Sequence, residues 1–303
     1  MYYTYYFFKK KKIKSEIINL EFNNKILNDL NNLKKIIKEK KIKIIFLDFS
    51  SNNIIKLIHN FKEKIKIILN QLDIKIILID SIKKESLYFP NLNITRVIPY
   101  HINSDYKFSG LKYVIIDEKF KNINKNIINR SPLKILVTFG GYDVKKTIKT
   151  IKALSLIDTN IRIKIIIGLL CNNKEIDLIK GYSIKYFKTN NYTILTKVNN
   201  ISKHMGWSNL VISCDGITKY EIISAGRYGV ILRNSLTNYY YGKSFEELKI
   251  CKFVNYKTYS SVKKYSYFLK TIFKNKKELQ RQSDINFKVS RKIDLNNYMY
   301  LIK

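Results

Sequence analysis

Two loops carry the residue types through which this chain could do chemistry. The first, "TFGGYD" over residues 138–143, closes a β-branched run with paired glycines. Gly140 and Gly141 permit a tight turn and let main-chain amides approach an anion, and Asp143 follows directly. The second, "CDGITKYE" over 214–221, turns from an apolar run into a helical pattern at Asp215-Gly216. The first amides of that helix, at Ile217 and Thr218, and its positive dipole end suit a phosphate. Glu221, about one turn deeper, can accept hydrogen bonds from two vicinal hydroxyls. Each loop also has a reading without a ligand. Gly-Gly after a strand serves as a plain turn, and Thr218-Lys219-Tyr220-Glu221 matches the capping box S/T-x-x-E. Residue types and spacing leave the two readings of the second loop even.

Other candidates are weaker. Asp48 and Asp80 close the apolar runs "KIKIIFLDFS" (41–50) and "DIKIILID" (73–80), where a carboxylate orients a hydroxyl or a water, or caps the next loop. His101 follows "ITRVIPY" (94–100) and is the one histidine placed to act as a general base in a cleft, whereas His59 and His204 read as packing residues within helices. Cys171, Cys214 and Cys251 are odd in number and unclustered, which argues against a disulfide framework or a zinc site and for a reducing cytoplasm. No His/Cys/Asp cluster has metal-ligand spacing, so neither metal nor cofactor is expected.

The elements that position these residues follow a regular grammar. From Lys134 onward, short apolar strands ("KILVTFGG", "RIKIIIGLL", "YTILTK", "LVISCD", "YGVILRN") alternate with helical patterns ("VKKTIKTIKALSLI", "ISKHMGW", "ITKYEIISAGR"). Such alternation implies crossover units and a parallel sheet covered on both faces. The first part of the chain repeats the pattern with fewer elements. The polar, proline-containing stretch 124–133 reads as a boundary, giving α/β domains at 1–130 and 131–303. Ligands of such sheets bind beyond the carboxyl ends of the strands, where both loops lie.

Composition restrains the alternatives. The 303 residues carry a formal net charge of +34, a polyanion-like signature. The lysines are spread along the chain among Ile, Asn and Tyr, all with AT-rich codons, so compositional drift accounts for much of the excess. Aromatic residues form no stacking motif, which argues against specific nucleic-acid binding. A peripheral contact with anionic membrane remains open. The opening "MYYTYYFFKKKKIK" does not have signal-peptide order, and no apolar stretch reaches the ~18 residues of a membrane span.

The succession "KILVTFGGYDVKKTI", "NLVISCDGITKYEIISAG" and "YGVILRNSLTNYYY" resembles the C-terminal domain of the glycosyltransferase-B superfamily. It is most similar to the UDP-2,4-diacetamido-2,4,6-trideoxy-β-L-altropyranose hydrolases of pseudaminic acid synthesis and to related spore-coat polysaccharide proteins. Gly140, Gly141 and Asp143 match that family's "fGGsD". Gly216, Thr218 and Glu221 match its "isaGgtt-yE", and Asn238 stands at its "NQ", with Tyr239 for the glutamine. The resemblance implies two Rossmann-like parallel-sheet domains, a UDP-sugar as partner held mainly by the second, and ribose held by Glu221. It implies hydrolysis releasing UDP if the protein is catalytic. The alternatives are a paralogue that binds without turnover, a transferase with a membrane acceptor, and, from another class, a basic nucleic-acid-binding protein.

The departures concentrate upstream. The family's Gly-His-x-x-Arg loop has no match, and by alignment about fifty residues of its first domain are missing, so that domain is expected to be shortened. Ser50, Ser81 and Asp117 replace a tyrosine, an aspartate and an arginine of the family pattern, and Leu295-Asn296-Asn297 replaces glycines of its terminal "vDG-G". Asp215 replaces a glycine beside the expected pyrophosphate. It would repel that anion unless it turned away to cap the helix.

Overall fold

The computed structural model describes residues 26–48, 74–79, 94–97, 108–128, 132–187, 191–233 and 245–302. The chain divides into two compact units, Met1–Ile115 with Ile293–Lys303, and Ile116–Lys292.

The second unit is built on six strands: β4 Leu133–Thr138, β5 Ile161–Ile166, β6 Tyr192–Leu195, β7 Leu210–Cys214, β8 Tyr228–Leu232 and β9 Lys252–Val254. They pair in parallel in the order β6-β5-β4-β7-β8-β9. Chain order therefore reverses between β4 and β7. In the centre of the sheet Ile135, Leu136, Val211, Ile212, Val230 and Ile231 are all fully buried. A continuous apolar run of this kind suits a strand covered on both faces, and each such side chain contributes roughly 1.5–3 kcal/mol by leaving water. The edge strand β6 lacks that pattern, with all its residues half-buried or exposed.

Helices fill the crossovers: α2 Val144–Ser155, α3 Asn173–Tyr186, α4 Ile201–Trp207 and α5 Ile217–Ser224, then α6 Tyr256–Ser260, α7 Val262–Lys274 and α8 Lys276–Ser290 after the last strand. Their starts are written locally. Asp143 accepts from Lys146 N at 2.9 Å at the head of α2. Asn172 and Glu175 form a reciprocal capping box on α3, while Ser261 and Asn275 cap α7 and α8.

Of the stretch 124–133, expected to be a domain boundary, residues 124–128, 132 and 133 are described and fall within the second unit. Phe120 and Ile128 are buried, and Asn126 Nδ2 donates to Asn209 O at 2.8 Å and to Ser283 Oγ at 3.0 Å. The compact units part at Ile116 and Ile293. Arg227, 3% exposed, reinforces the same corner by donating to the carbonyls of Met205, Asn124 and Gly206 at 2.9–3.1 Å. Burial lowers its guanidinium pKa to about 10, and three carbonyl acceptors compensate the lost hydration.

In the first unit α1 Ile26–Glu39 precedes a parallel three-stranded sheet, β1 Ile44–Asp48, β2 Lys75–Ile79 and β3 Ile94–Val97, in sequential order. Ile77 and Ile79 pack with Tyr113 and with Leu295, Tyr298 and Leu301 from the chain's last segment. The Tyr298 hydroxyl donates to Tyr113 O at 2.7 Å, and the two rings meet edge to face. That segment includes the short α9, Met299–Ile302. Asp294 starts its preceding turn by accepting from Asn296 N at 2.8 Å, a conformation for which the glycines of the resembled pattern are not needed.

Candidate functional site

The two loops singled out by residue type leave the carboxyl ends of β4 and β7, the adjacent strands at which chain order reverses. This is the topological switch point of the sheet, where two neighbouring crossovers run to opposite sides and open a crevice. The loops meet there: Cys214 Sγ lies 3.5 Å from Phe139 O.

Sterics shape the first loop. Gly140 has φ +76, and a Cβ built on it meets nothing within 4 Å. Behind the turn stands Gly168, at the end of β5, a residue that motif reading misses. A Cβ there would lie 2.1 Å from Gly141 O and 2.4 Å from Gly140 O, so backbone packs directly on backbone. Leu170 N donates to Gly141 O at 3.0 Å and completes the support. The sequence signal was present in "IIIGLL", where the apolar run continues past a glycine beyond the strand end. Leu169, Leu170, Tyr142 and Ile217 are large apolar residues left exposed around this mouth, at 67, 75, 55 and 49%. The Tyr142 hydroxyl donates to Glu175 Oε1 at 2.6 Å, which holds the ring beside the loop. Asp143 is turned away, into the α2 cap and an ion pair with Lys146.

The second loop corrects the capping-box reading. Gly216 is the N-cap of α5, with extended backbone and no side-chain cap, so Thr218 and Glu221 both lie inside the helix. Ile217 is its first residue, and no side-chain cap bonds the first-turn amides among the described residues. A Cβ on Gly216 meets nothing within 4 Å, so the N-cap position itself is uncrowded. Asp215 does not cap the helix either. Its Oδ1 accepts from Lys219 Nζ at 2.5 Å, with Asp215 and Lys219 7% and 8% exposed. The ammonium also lies 4.8 Å from the Tyr220 ring centroid and 5.1 Å from that of Phe245. The carboxylate expected to repel an anion is therefore neutralised by a lysine four residues on.

Glu221 is half-buried, and its carboxyl pKa is pushed up to about 7. Burial is the main cause; the Asp117 charge adds to it, while a hydrogen bond with Thr218 opposes it. Near neutrality this group passes between a hydrogen-bond donor and an acceptor-only carboxylate.

Of the remaining candidates, Asp48 is the last residue of β1. Asp80, His101 and Asn238 lie outside the described residues, as do His59, Ser50, Ser81 and Tyr239. His204 sits in α4, half-buried, its pKa lowered by burial and by Lys164 and Lys203. Among the described residues no group of three His, Cys, Asp or Glu is placed to hold a metal ion, and no helix is long and apolar enough to cross a membrane.

No family model matches the chain. Over 226 residues it is 25% identical to an uncharacterised protein of Methanocaldococcus jannaschii, covering 65% of this chain and 46% of that protein. The chain thus spans about half the length of the curated relative it matches. Among solved structures it is similar to MurG of Acinetobacter baumannii, with TM-score 0.64 and 13% identity over 98% of this chain and 85% of the other. A glycosyltransferase of Rickettsia africae ESF-5 gives TM-score 0.63 and 13% identity over 98% and 85%. The UDP-GlcNAc 2-epimerase of Neisseria meningitidis, solved with UDP-GlcNAc bound, gives 0.59 and 11% over 98% and 87%. These likenesses establish the fold: an α/β protein with Rossmann-like parallel sheets of the glycosyltransferase-B type. Among the described residues its first sheet has three strands against six in the second.

Proposed function

We propose that the second unit binds the nucleotide portion of a UDP-sugar at the β4/β7 switch point. The observation that carries this reading is the pairing of two loops: Gly140-Gly141 and the uncapped start of α5 lie side by side, with open space before Gly140 and Gly216. The amides at 216–218, with the helix dipole, hold the diphosphate, and the turn at 140–141 lets it approach the backbone. Glu221, one helical turn inward, accepts from the two ribose hydroxyls in its ionised form. Lys219 withdraws the charge of Asp215 from the diphosphate. Tyr142, Leu170 and Ile217 supply apolar surface for the base or sugar.

The finer reading follows the sequence resemblance. The sugar is a deoxy-amino sugar of surface-polysaccharide or pseudaminic acid synthesis, and the reaction is hydrolysis at its anomeric carbon, releasing UDP. The switch-point residues bind and orient; the described residues include no group assigned to activate the water. Binding without turnover and transfer to a membrane acceptor are the alternatives that the assay must separate.

A melting panel of the full chain with UDP, other nucleoside diphosphates, the UDP-altropyranose conjugate and single-stranded DNA tests this. A stabilising shift with UDP and the conjugate is expected, and Glu221→Gln should abolish it. UDP released from the conjugate without an acceptor supports hydrolysis, and release only with an acceptor supports transfer. A shift with DNA and none with UDP overturns the reading.

A further inference from the structure

The opposite end of the second sheet contains a second cavity that the switch-point site does not use. It encloses about 290 Å³ at the amino ends of β8 and β9, between the 246–252 loop, the end of α7 and the first turns of α8. Tyr228 and Gln282 line it, and each is 3% exposed. Gln282 Oε1 accepts from Gly229 N at 3.1 Å, capping β8 where β9 has not yet begun. Its Nε2 and the Tyr228 hydroxyl have no hydrogen-bond partner among the described residues. Both atoms stay open to the cavity, where an oxygen of a bound molecule can accept from them.

The rim indicates what that something carries. Glu246 is already engaged by Phe253 N at 3.1 Å and by Arg233 at 3.4 Å. Glu278 is held by Arg281 through two bonds of 2.8 Å. Neither carboxylate therefore calls for a cation. Lys249, by contrast, is held at φ 58 in the loop with no carboxylate partner among the described residues. Lys252 stands nearby, 3.8 Å from Glu246. Leu279 and Ile272 supply apolar wall. Donors at the floor, a spare positive charge at the mouth and a volume larger than one hexose define the occupant.

We propose that this cavity binds a monosaccharide-sized sugar phosphate. Its hydroxyl oxygens accept from Tyr228 and Gln282, its C–H surface lies on Leu279, and its phosphate faces Lys249 and Lys252. The proposal does not rest on the nucleotide reading, because the two sites share no residue and lie at opposite ends of the strands.

Titration calorimetry of the full chain with glucose 6-phosphate tests it, with glucose and inorganic phosphate as controls. Tyr228→Phe keeps the ring and removes the hydroxyl, and should weaken binding about tenfold. Lys249→Asn, which tolerates the left-handed backbone, should also weaken it and flatten its salt dependence. The UDP melting shift should persist in both variants. Two outcomes overturn the proposal: binding no tighter than inorganic phosphate alone, or binding that survives Tyr228→Phe but is lost in Glu221→Gln. Absence of glucose 6-phosphate binding by the native chain overturns it as well.

Discussion

The loops after β4 and β7 are both glycine turns at the same end of one sheet, yet they need glycine for different reasons. At the first, the chain itself demands it. Gly140 takes a left-handed backbone, and Gly168 admits the loop because a methyl group there would penetrate the carbonyls of 140 and 141. At the second, nothing among the described residues does: Gly216 is extended, and a Cβ on it meets nothing within 4 Å. One glycine is explained by the fold alone. The other leaves room at a helix N-cap that has no side-chain cap, which fits the proposed ligand better.

Substitutions should separate these two kinds of glycine. The largest effect is expected at Gly168→Ala, which must push the 140–141 turn off β5. It should cost roughly 3 kcal/mol of stability, measured by denaturant unfolding, and remove the UDP melting shift. If stability is unchanged, the close approach of residue 168 to the 140–141 turn is wrong.

Next comes Glu221→Gln. The folded carboxyl pKa, about 7, lies above the ordinary value of 4.5, so the folded state holds its proton more tightly than the unfolded one. Its stability contribution is intact below about pH 4.5, declines as pH rises through 7, and is constant above. The variant should therefore be more stable than the native chain at pH 8, by roughly 2 kcal/mol, with the gap closing on acidification. UDP affinity of the native chain should rise with pH across the same interval, because ribose binding uses the ionised form. Equal melting curves at pH 8 would show that Glu221 is solvated.

Asp143→Ala removes an N-cap and should cost about 1 kcal/mol, while leaving the UDP shift in place, since its carboxylate is engaged by α2. Gly216→Ala should change stability least, by under about 1 kcal/mol, yet weaken UDP by narrowing the approach to the amides. A large loss of stability at this position would mean the open space is not there.

Much of the second unit could be read directly from the chain. Continuous apolar runs such as "LVISCD" and "YGVIL" specify buried parallel strands because burial on both faces leaves no room for alternation. The succession of strands and glycine turns also indicated which loops leave the carboxyl ends of the strands. The ends of α5 were less legible. Thr218 and Glu221 have the spacing of a capping box, but Asp215 is drawn into a pair with Lys219 and the helix starts after Gly216 instead. A local motif of four residues cannot register a partner contributed by packing. In the stretch 124–133 the Asn126 side chain bonds Asn209 and Ser283, 83 and 157 residues away, contacts that local composition cannot register.

The amino-acid sequence by itself determined the alternation of strands and helices, the candidate loops and the types of group they present, because these depend on neighbours along the chain. Tertiary structure alone decided that both loops meet at the switch point, that Gly168 supports one of them, and that Asp215 is neutralised. It also raised the pKa of Glu221 and left Tyr228 and Gln282 donors facing a cavity. Each of these depends on distances between residues far apart in the chain, and hydration, charge and steric exclusion act through those distances.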